Sequence, residues 1–241
     1  MNDFASMAQP AERRLAVLID GENMPARYAD AIFDELSRLG EASVRRVYGD
    51  ILEGGTKPWL EKLAPLAIAP VHQPKNSVAK NASDIALVID AMDLLNSDRF
   101  GGFVLVSSDS DFTKLAQRIR EHGVDVYGVG EAKTPEPFRM ACKQFITVEN
   151  LQSRSAASLN PDALNGKDKN HAYQLIANVI SGTNDPDGWA SLAWLGKQMI
   201  QRYPDFDPRT YGEKRLSDLV RSTKKFEEKG EGSAQWVRLK S

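Results

Sequence analysis

Apolar residues in the first half of the chain form short uninterrupted runs that lead to acidic residues. Residues 15–19 (LAVLI) run into Asp20, and residues 103–106 (FVLV) run through two serines into Asp109. Runs of this length are typical of buried strands, and the apolar 3–4 spacing that follows each run predicts a helix. Runs in which polar residues interrupt the apolar ones also predict strands, at residues 42–48, 124–129 and 145–148. Strands that alternate with helices in this way predict an α/β fold with a doubly wound parallel sheet.

The pattern changes after residue 151. Residues 152–169 lose their periodicity and become rich in Ser, Asn, Pro and Gly, which is typical of a linker. Beyond the linker the spacing predicts a small winged helix-turn-helix domain, with helices at 173–180, 189–203 and 213–222 and strands around Phe226 and at 236–239. We therefore expect a first domain at 13–151, a linker at 152–169 and a second domain at 170–241.

The same spacing predicts which side chains lie together. In the second domain we expect eight side chains in the core: Leu192, Leu195, Met199, Ile200, Phe206, Leu216, Leu219 and Trp236. In the first domain, the helix that begins near Ser83 is expected to carry four residues on one face: Asp84, Val88, Ala91 and Leu95.

The balance of charge differs between the two parts of the chain. The 241 residues carry a formal net charge of −2, with 17 Lys or Arg against 22 Asp or Glu in residues 1–150 and 14 against 11 in residues 151–241. An acidic first part suits a metal site and a mildly basic second part suits a polyanion, although excesses this small are also typical of solvated surfaces.

A single cysteine, Cys142, excludes an internal disulfide and a cysteine-based zinc site, and we expect it to be a core thiol. No stretch has the length of a membrane span, and the first ten residues lack the basic and apolar regions of a signal peptide. We therefore expect a soluble, cytoplasmic protein.

Three aspartates lie where the predicted strands end. If the strands before Asp20 and Asp109 are parallel neighbours, these two residues and Asp111 converge at the carboxyl edge of the sheet, where ligands bind in open α/β folds. Carboxylates this close repel one another unless a cation lies among them, and hard oxygen ligands favour Mg²⁺ or Mn²⁺. The alternative is that Ser108 or Asp109 serves only as a helix N-cap. Asp84, in the first turn of its helix, is favoured there by the helix dipole alone.

The other residue types favour phosphoryl chemistry. The three histidines lie far apart in the sequence, so a zinc hydrolase or a Ser-His-Asp triad has little support. The sequence contains no P-loop pattern. A cluster of aspartates that holds divalent cations can instead activate water for attack on a phosphodiester.

Four segments resemble, in this order, the NYN family of PIN-like ribonuclease domains: residues 18–23 (LIDGEN), 80–84 (KNASD), 106–112 (VSSDSDF) and 126–130 (VYGVG). The resemblance implies a Mg²⁺- or Mn²⁺-dependent endoribonuclease whose catalytic and metal-binding residues are Asp20, Asp84, Asp109 and Asp111. It also implies four substrate-contacting residues, of which Asn23 and Ser108 are polar neighbours of the acids and Lys80 and Asn81 lie beside the scissile phosphate. The direction of Glu22, toward the metal or into solvent, stays open.

The second domain resembles the OST-HTH (LOTUS) family in five segments: residues 188–189, 195–196, 206–212 (FDPRTYG), 216–219 and 237–239. That resemblance implies RNA binding or docking to a protein partner. Arg209, Lys214 and Arg215 would then contribute to a basic face for phosphates. Tyr211 would be available for stacking on a base. Alternatively, Tyr211 and Phe206 pack the loop and the basic residues are only solvated.

Two functions are therefore hypotheses: an endoribonuclease whose second domain holds the RNA, and an RNA-binding or scaffold protein whose acidic site is catalytically silent. The full set of four acids favours the first, because a site that had lost catalysis would have no reason to keep charges that repel one another. Toprim-like and receiver-like sites also hold Mg²⁺ with acids at strand ends. A Toprim-like site would begin with a glutamate, and a receiver-like site would have a lone phosphoacceptor aspartate. Both therefore fit this sequence less well.

Overall fold

The computed structural model describes residues 13–52, 54–74, 81–152, 169–230 and 235–240. By compactness the chain divides into two units, Met1–Cys142 and Lys143–Ser241. Most of the predicted linker, residues 153–168, lies outside the described residues. Within the described part of the chain, no helix is both long enough and apolar enough to cross a membrane.

The chain as far as residue 152 alternates strands with helices, as predicted. In chain order the elements are β1 (Arg14–Asp20), α1 (Ala29–Leu36), β2 (Glu41–Gly49), α2 (Leu60–Leu63), β3 (Ala69–His72), α3 (Ala82–Asn96), β4 (Gly102–Val106), α4 (Thr113–Glu121), β5 (Asp125–Gly130), α5 (Glu136–Ala141), β6 (Gln144–Thr147) and α6 (Glu149–Gln152). Short 3₁₀ helices precede α1, α2 and α4, at Ala26–Tyr28, Gly54–Trp59 and Ser110–Phe112.

The six strands form one parallel sheet in the order β3-β2-β1-β4-β5-β6. β1 pairs with β2 on one side and with β4 on the other. The chain adds β2 and β3 outward from β1 and then returns to the opposite side at β4. The direction of the strand order therefore reverses between β1 and β4, and this topological switch point is where ligands bind in sheets of this kind. The order confirms the predicted doubly wound fold.

Burial follows the apolar runs. Residues 15–19 of β1 are completely shielded from solvent, and every residue of β4 is buried. In α3 the buried face includes Leu87, Ala91 and Leu95. Val88 was expected beside Ala91 and Leu95 but is 37% exposed. The buried face includes Leu87 instead, and adjacent residues of a helix point about 100° apart.

The second unit contains three helices and a small antiparallel sheet after β6 and α6. Its elements are α7 (Lys169–Ile180), β7 (Ala190–Ser191), α8 (Leu192–Arg202), a 3₁₀ helix (Pro208–Tyr211), α9 (Leu216–Thr223), β8 (Phe226–Lys229) and β9 (Trp236–Leu239). The strands lie in the order β7-β9-β8, and both pairings are antiparallel. Three helices together with this sheet confirm the predicted winged helix.

Two residues that were expected in the core of the second unit are exposed. Ile200 is 37% exposed and Trp236 is 39% exposed. Successive side chains of a strand point to opposite faces, and in β9 Val237 rather than Trp236 faces the core. In α8 the core positions are Leu195 and Met199. Ile200 lies one residue further round the helix and faces solvent.

Gly21 joins β1 to a turn that passes directly against β2. Its backbone N–H donates to the carbonyl oxygen of Tyr48 at 2.9 Å. A Cβ atom at position 21 would lie 2.8 Å from Cγ2 of Val47 and 2.9 Å from the Tyr48 carbonyl oxygen. Carbon atoms in contact are normally about 3.5–4.0 Å apart, so only glycine fits this turn.

We expect Gly21→Ala to destabilise the protein by about 1–3 kcal/mol, because the added methyl group overlaps backbone as well as a side chain. Gly196→Ala is the matched control, since a Cβ atom there would meet Leu216 at 3.6 Å, an ordinary contact. Alanine inside α8 should stabilise the chain by about 0.5–1 kcal/mol. Urea unfolding followed by circular dichroism measures both changes. Unchanged stability of Gly21→Ala would show that the turn can move away from β2.

Candidate active site

The ends of β1 and β4 form the centre of the candidate site. In the pairing of these strands Ile19 lies opposite Val106, so Asp20 and Ser107 follow at the same edge of the sheet. This edge lies at the topological switch point, where a crevice forms outside the carboxyl ends of the strands. The turn after β1 and the turn after β4 therefore bring their polar side chains to one place.

Asp84 shows how closely the acids are grouped. It lies in the first turn of α3 and is half-buried. Burial raises its pKa to about 6, and the negative charges of Asp20, Asp109, Glu22 and Asp111 add to the rise. Glu22, whose direction the sequence left open, therefore lies near the other acids. We call Asp20, Glu22, Asp84, Asp109 and Asp111 the acid cluster.

Asp20 is the buried member of the acid cluster, with only 1% of its surface exposed. Its Oδ1 accepts from the backbone N–H groups of Glu22 and Asn23, both at 3.2 Å. Its Oδ2 accepts from Asn23 Nδ2 and from Ser107 Oγ, both at 2.7 Å. Burial raises the pKa of Asp20, and the hydrogen bonds from Ser107 and Asn23 oppose the rise because they stabilise the charged form. These four bonds hold the carboxylate in one orientation.

The serine that contacts the acid cluster is Ser107, which the sequence reasoning did not single out. Besides donating to Asp20, its Oγ accepts from the backbone N–H of Asp109 at 3.0 Å. Ser108, the predicted polar neighbour, instead accepts from the backbone N–H of Glu131 at 2.9 Å and joins the turn after β4 to the end of β5. Which of the two serines contacts Asp20 depends on the register of β1 against β4, because a shift of one residue reverses the direction of a side chain.

Asp109 is both a helix N-cap and a member of the acid cluster, the two roles that the sequence allowed. Its Oδ1 accepts from the backbone N–H of Asp111 at 2.9 Å and so caps the 3₁₀ helix Ser110–Phe112. The side chain is half-buried, and its charge raises the pKa of Asp84. Asp111 is exposed and acts on Asp84 in the same direction. Capping therefore does not remove Asp109 from the acid cluster.

The two residues predicted beside the scissile phosphate precede α3. Asn81 is exposed, and its carbonyl oxygen accepts from the backbone N–H of Ile85 at 3.0 Å, the bond that starts the helix. Asn81 and Asp84 are three residues apart, so both lie at the same end of α3. Lys80 lies outside the described residues.

The donor set of the acid cluster suits a hard divalent cation, because carboxylate oxygens are the ligands that Mg²⁺ and Mn²⁺ prefer. Yet in the described part of the chain no group of three or more His, Cys, Asp or Glu side chains is arranged to hold a metal ion. Each oxygen of Asp20 already accepts two hydrogen bonds, which matches its two lone pairs. Direct coordination by Asp20 would therefore require it to exchange one of these bonds for the ion.

Tyr211 of the second unit is a core residue, which corrects its predicted stacking on a base. Only 4% of its surface is exposed, and its hydroxyl forms a hydrogen bond of 3.0 Å with Nδ1 of His171. Burial raises the pKa of Tyr211 to about 12, and the charge of Asp205 contributes. The ring centre of Phe206 lies 5.9 Å away. The alternative in which Tyr211 and Phe206 pack the loop is the one that the structure supports.

The predicted basic residues of the second unit differ in their surroundings. Arg209 is half-buried, and its guanidinium binds the carboxylate of Asp207 through Nε at 2.8 Å and Nη2 at 2.6 Å. Lys214 and Arg215 are exposed immediately before α9. Of the three, Lys214 and Arg215 are therefore the better placed to meet a phosphate.

These features define a class of protein: a doubly wound α/β domain with acids gathered at its switch point, followed by a winged helix. The NYN domain family matches residues 14–150, and the OST-HTH/LOTUS domain family matches residues 167–238. The chain belongs to the NYN domain family and carries an OST-HTH/LOTUS domain after the NYN domain.

No curated protein matches the chain significantly. Among solved structures, a protein of unknown function from Vibrio parahaemolyticus RIMD 2210633 shows 16% sequence identity and a TM-score of 0.49. The match covers 58% of this chain and 96% of that chain.

The raised pKa of Asp84 has a consequence for stability. The folded protein keeps a proton on Asp84 up to a pH of about 6, whereas the unfolded chain releases it near 3.8. Above pH 6 the charged side chain therefore destabilises the folded, metal-free protein, and this destabilisation disappears as the pH falls from 6 to 3.8. We expect Asp84→Asn in EDTA to raise the free energy of unfolding by about 1 kcal/mol near neutral pH, after allowance for screening by solvent.

Urea unfolding at about pH 7.5 and about pH 5 measures the effect, which should be smaller at the lower pH. Asp93→Asn is the matched control, because Asp93 is an exposed aspartate on the same helix. It should leave the free energy of unfolding unchanged at both pH values. A gain from Asp84→Asn that is the same at both pH values would show that ionisation of Asp84 is not its cause.

Proposed function

We propose that the first unit is a metal-dependent endoribonuclease that hydrolyses RNA phosphodiester bonds, with Mg²⁺ or Mn²⁺ as its cofactor. Its catalytic and metal-binding residues are Asp20, Asp84, Asp109 and Asp111. The observation that carries the proposal is the acid cluster, in which burial and the negative charges of the other acids raise the pKa of Asp84 to about 6. Like charges held together in this way are relieved by a bound cation. Membership of the NYN family, whose domains are PIN-like, supports the same chemistry.

Hydrogen bonds and secondary structure hold the acids of the candidate site in position. Asn23 and Ser107 fix the orientation of the Asp20 carboxylate. α3 and the turn after β4 bring Asp84 and Asp109 from separate segments close enough for the charge of Asp109 to raise the pKa of Asp84. A divalent cation held among the acids would activate a water molecule and offset the negative charge of the phosphate. The exposed Asn81, at the same end of α3, would donate a hydrogen bond to the RNA backbone.

The second unit is proposed to hold the RNA. α9 follows α8 and the loop of residues 203–215, and in helix-turn-helix proteins the second helix of such a pair contacts the nucleic acid. The charges of Lys214 and Arg215 lie exposed immediately before α9. Contacts between such residues and phosphates provide affinity without sequence preference, so binding should be weaker at high salt.

A second candidate function is an RNA-binding or scaffold protein with a silent acid cluster. Two observations favour it. Both oxygens of Asp20 are fully used as hydrogen-bond acceptors, and the described residues include no group of three side chains arranged around a metal position. In that case RNA would bind and stay intact in the presence of either cation.

Cleavage of a labelled RNA of mixed structure distinguishes the two functions. We expect the purified protein to cleave this RNA with Mn²⁺ or Mg²⁺ and not with EDTA. Asp109→Asn should lower the rate by roughly 100-fold or more, because it removes a charge from the acid cluster and keeps the oxygen that caps the 3₁₀ helix. Asp93→Asn is the matched control and should keep the parental rate.

Asp20→Asn should also stop cleavage, and that loss would exclude a contaminating nuclease as the source of the activity. Retained RNA binding without cleavage by the parent protein in either metal would establish the silent alternative. If Asp109→Asn also lost its folded circular dichroism spectrum, Asp109 would have a structural role instead.

The role of the basic residues before α9 can be measured through salt dependence. We expect the double variant Lys214→Gln and Arg215→Gln to bind single-stranded RNA more weakly, with the slope of log affinity against log salt reduced by about 1.4 for two lost phosphate contacts. Filter binding in EDTA at several salt concentrations measures the slope. Arg209→Gln is the control, because Arg209 already binds Asp207. An equal reduction by Arg209→Gln would contradict the assignment.

A further inference from the structure

The solvent side of the small sheet in the second unit carries aromatic and cationic residues that the proposed function does not use. The pairing of β8 with β9 places Lys229 opposite Trp236 and Glu227 opposite Arg238. Residues paired in this way share one face of a sheet, and Val237, between the two β9 residues, is buried on the other face. These four side chains therefore stand on the face that points away from the core.

Trp189, which immediately precedes β7, completes this surface. We call Trp189, Glu227, Lys229, Trp236 and Arg238 the wing face. Nζ of Lys229 lies 4.1 Å from the centre of the Trp189 ring and 5.9 Å from that of Trp236. Cζ of Arg238 lies 4.7 Å from the Trp189 ring centre, and its Nε and Nη2 donate to Glu227 at 2.7 and 2.6 Å. The two indoles and two cations are thus held in a fixed arrangement.

The wing face is separate from the hydrophobic core of its unit. That core takes Phe226 and Val237 from β8 and β9 and includes neither Trp189 nor Trp236. Trp236 exposes 39% of its surface. An exposed indole beside cations is a surface suited to binding.

The combination of rings and charges favours one kind of ligand. An apolar protein partner would have to cover Lys229 and Arg238 and remove water from their charges, which is unfavourable. A nucleobase of any sequence can stack on an indole, and its phosphate can then meet a neighbouring cation. Bases in duplex RNA are already stacked on one another, so unpaired bases are the ones that can use Trp236.

We propose that the wing face is a stacking site for unpaired bases of single-stranded RNA, with Trp236 as the platform and Lys229 as a phosphate contact. The inference rests on the proposed RNA binding by the second unit and adds the class of RNA and the residues that select it. Stacking contributes more here than charge, because Glu227 offsets the charge of Arg238 and leaves Lys229 as the net charge of the face.

The test uses the full chain carrying Asp109→Asn in EDTA, so that RNA stays intact. Its ligands are a fluorescein-labelled oligouridylate of about 12 nucleotides, within the usual site size of such surfaces, and an RNA duplex of the same length. Anisotropy of the labelled RNA gives the affinity, and quenching of tryptophan fluorescence by the same oligouridylate without the label reports stacking.

Trp236→Leu should weaken binding of the oligouridylate by about tenfold and remove most of the quenching, while Trp236→Phe should stay within about threefold of the parent because it keeps an aromatic ring. Binding of the duplex should not change. Lys229→Gln should lower the salt slope by about 0.7, the value for one phosphate on a single strand. Ile200→Ala is the matched control, because Ile200 is exposed to nearly the same extent in the same unit.

If the parent binds the oligouridylate and Trp236→Leu binds it equally well, the wing face is not the stacking site, although RNA binding by the second unit stands. Equal weakening by Trp236→Leu and Trp236→Phe would also overturn the inference. If the parent binds neither RNA, the proposed RNA binding fails as well. Circular dichroism checks the fold of each variant, and Lys229→Gln tests the face with both indoles in place.

Discussion

Burial of the Asp20 carboxylate at the end of the central strand connects the fold of the first unit to its candidate site. A buried charge is unfavourable unless hydrogen-bond donors replace the lost water. Here the donors are two backbone N–H groups of the turn, the Asn23 amide and the Ser107 hydroxyl. These bonds fix the path of the turn and join β1 to β4, and Gly21 lets the same turn pass against β2. The acid at the centre of the proposed chemistry is therefore also a structural residue.

The charged groups of the two units are arranged differently. In the first, three separate segments contribute acids to one edge of the sheet, and their repulsion opposes the interactions that stabilise the fold. In the second, polar groups satisfy one another, as Tyr211 does with His171 and Arg209 does with Asp207. Several of its cations remain exposed, and Lys214 is one of them. Under the proposed function, one unit would bind a small cation and the other an extended polyanion.

The sequence was sufficient to predict the features that depend on a repeated pattern of apolar residues. Parallel strands end at the same edge of a sheet, so the approach of Asp20 and Asp109 followed from two apolar runs, and the charge coupling at Asp84 agrees with it. Their roles as metal ligands stay a proposal. What the sequence did not predict concerns the phase of a repeat: the serine that donates to Asp20 is Ser107, one residue before Ser108, and Trp236 faces solvent where its neighbour in β9 faces the core. Phase depends on tertiary partners, which a local pattern does not contain.

The single thiol of the chain, Cys142, can be used to measure local opening of the structure around it. Cys142 directly follows α5, is 1% exposed and donates from Sγ to the carbonyl oxygen of Phe138 at 3.3 Å, as expected for a core thiol. Burial raises its pKa to about 12. The thiolate is the form that attacks thiol reagents, so the native state should react only when the end of α5 opens to solvent. The rate at which Cys142 is modified is therefore a measure of local opening in the natural sequence, without any introduced label.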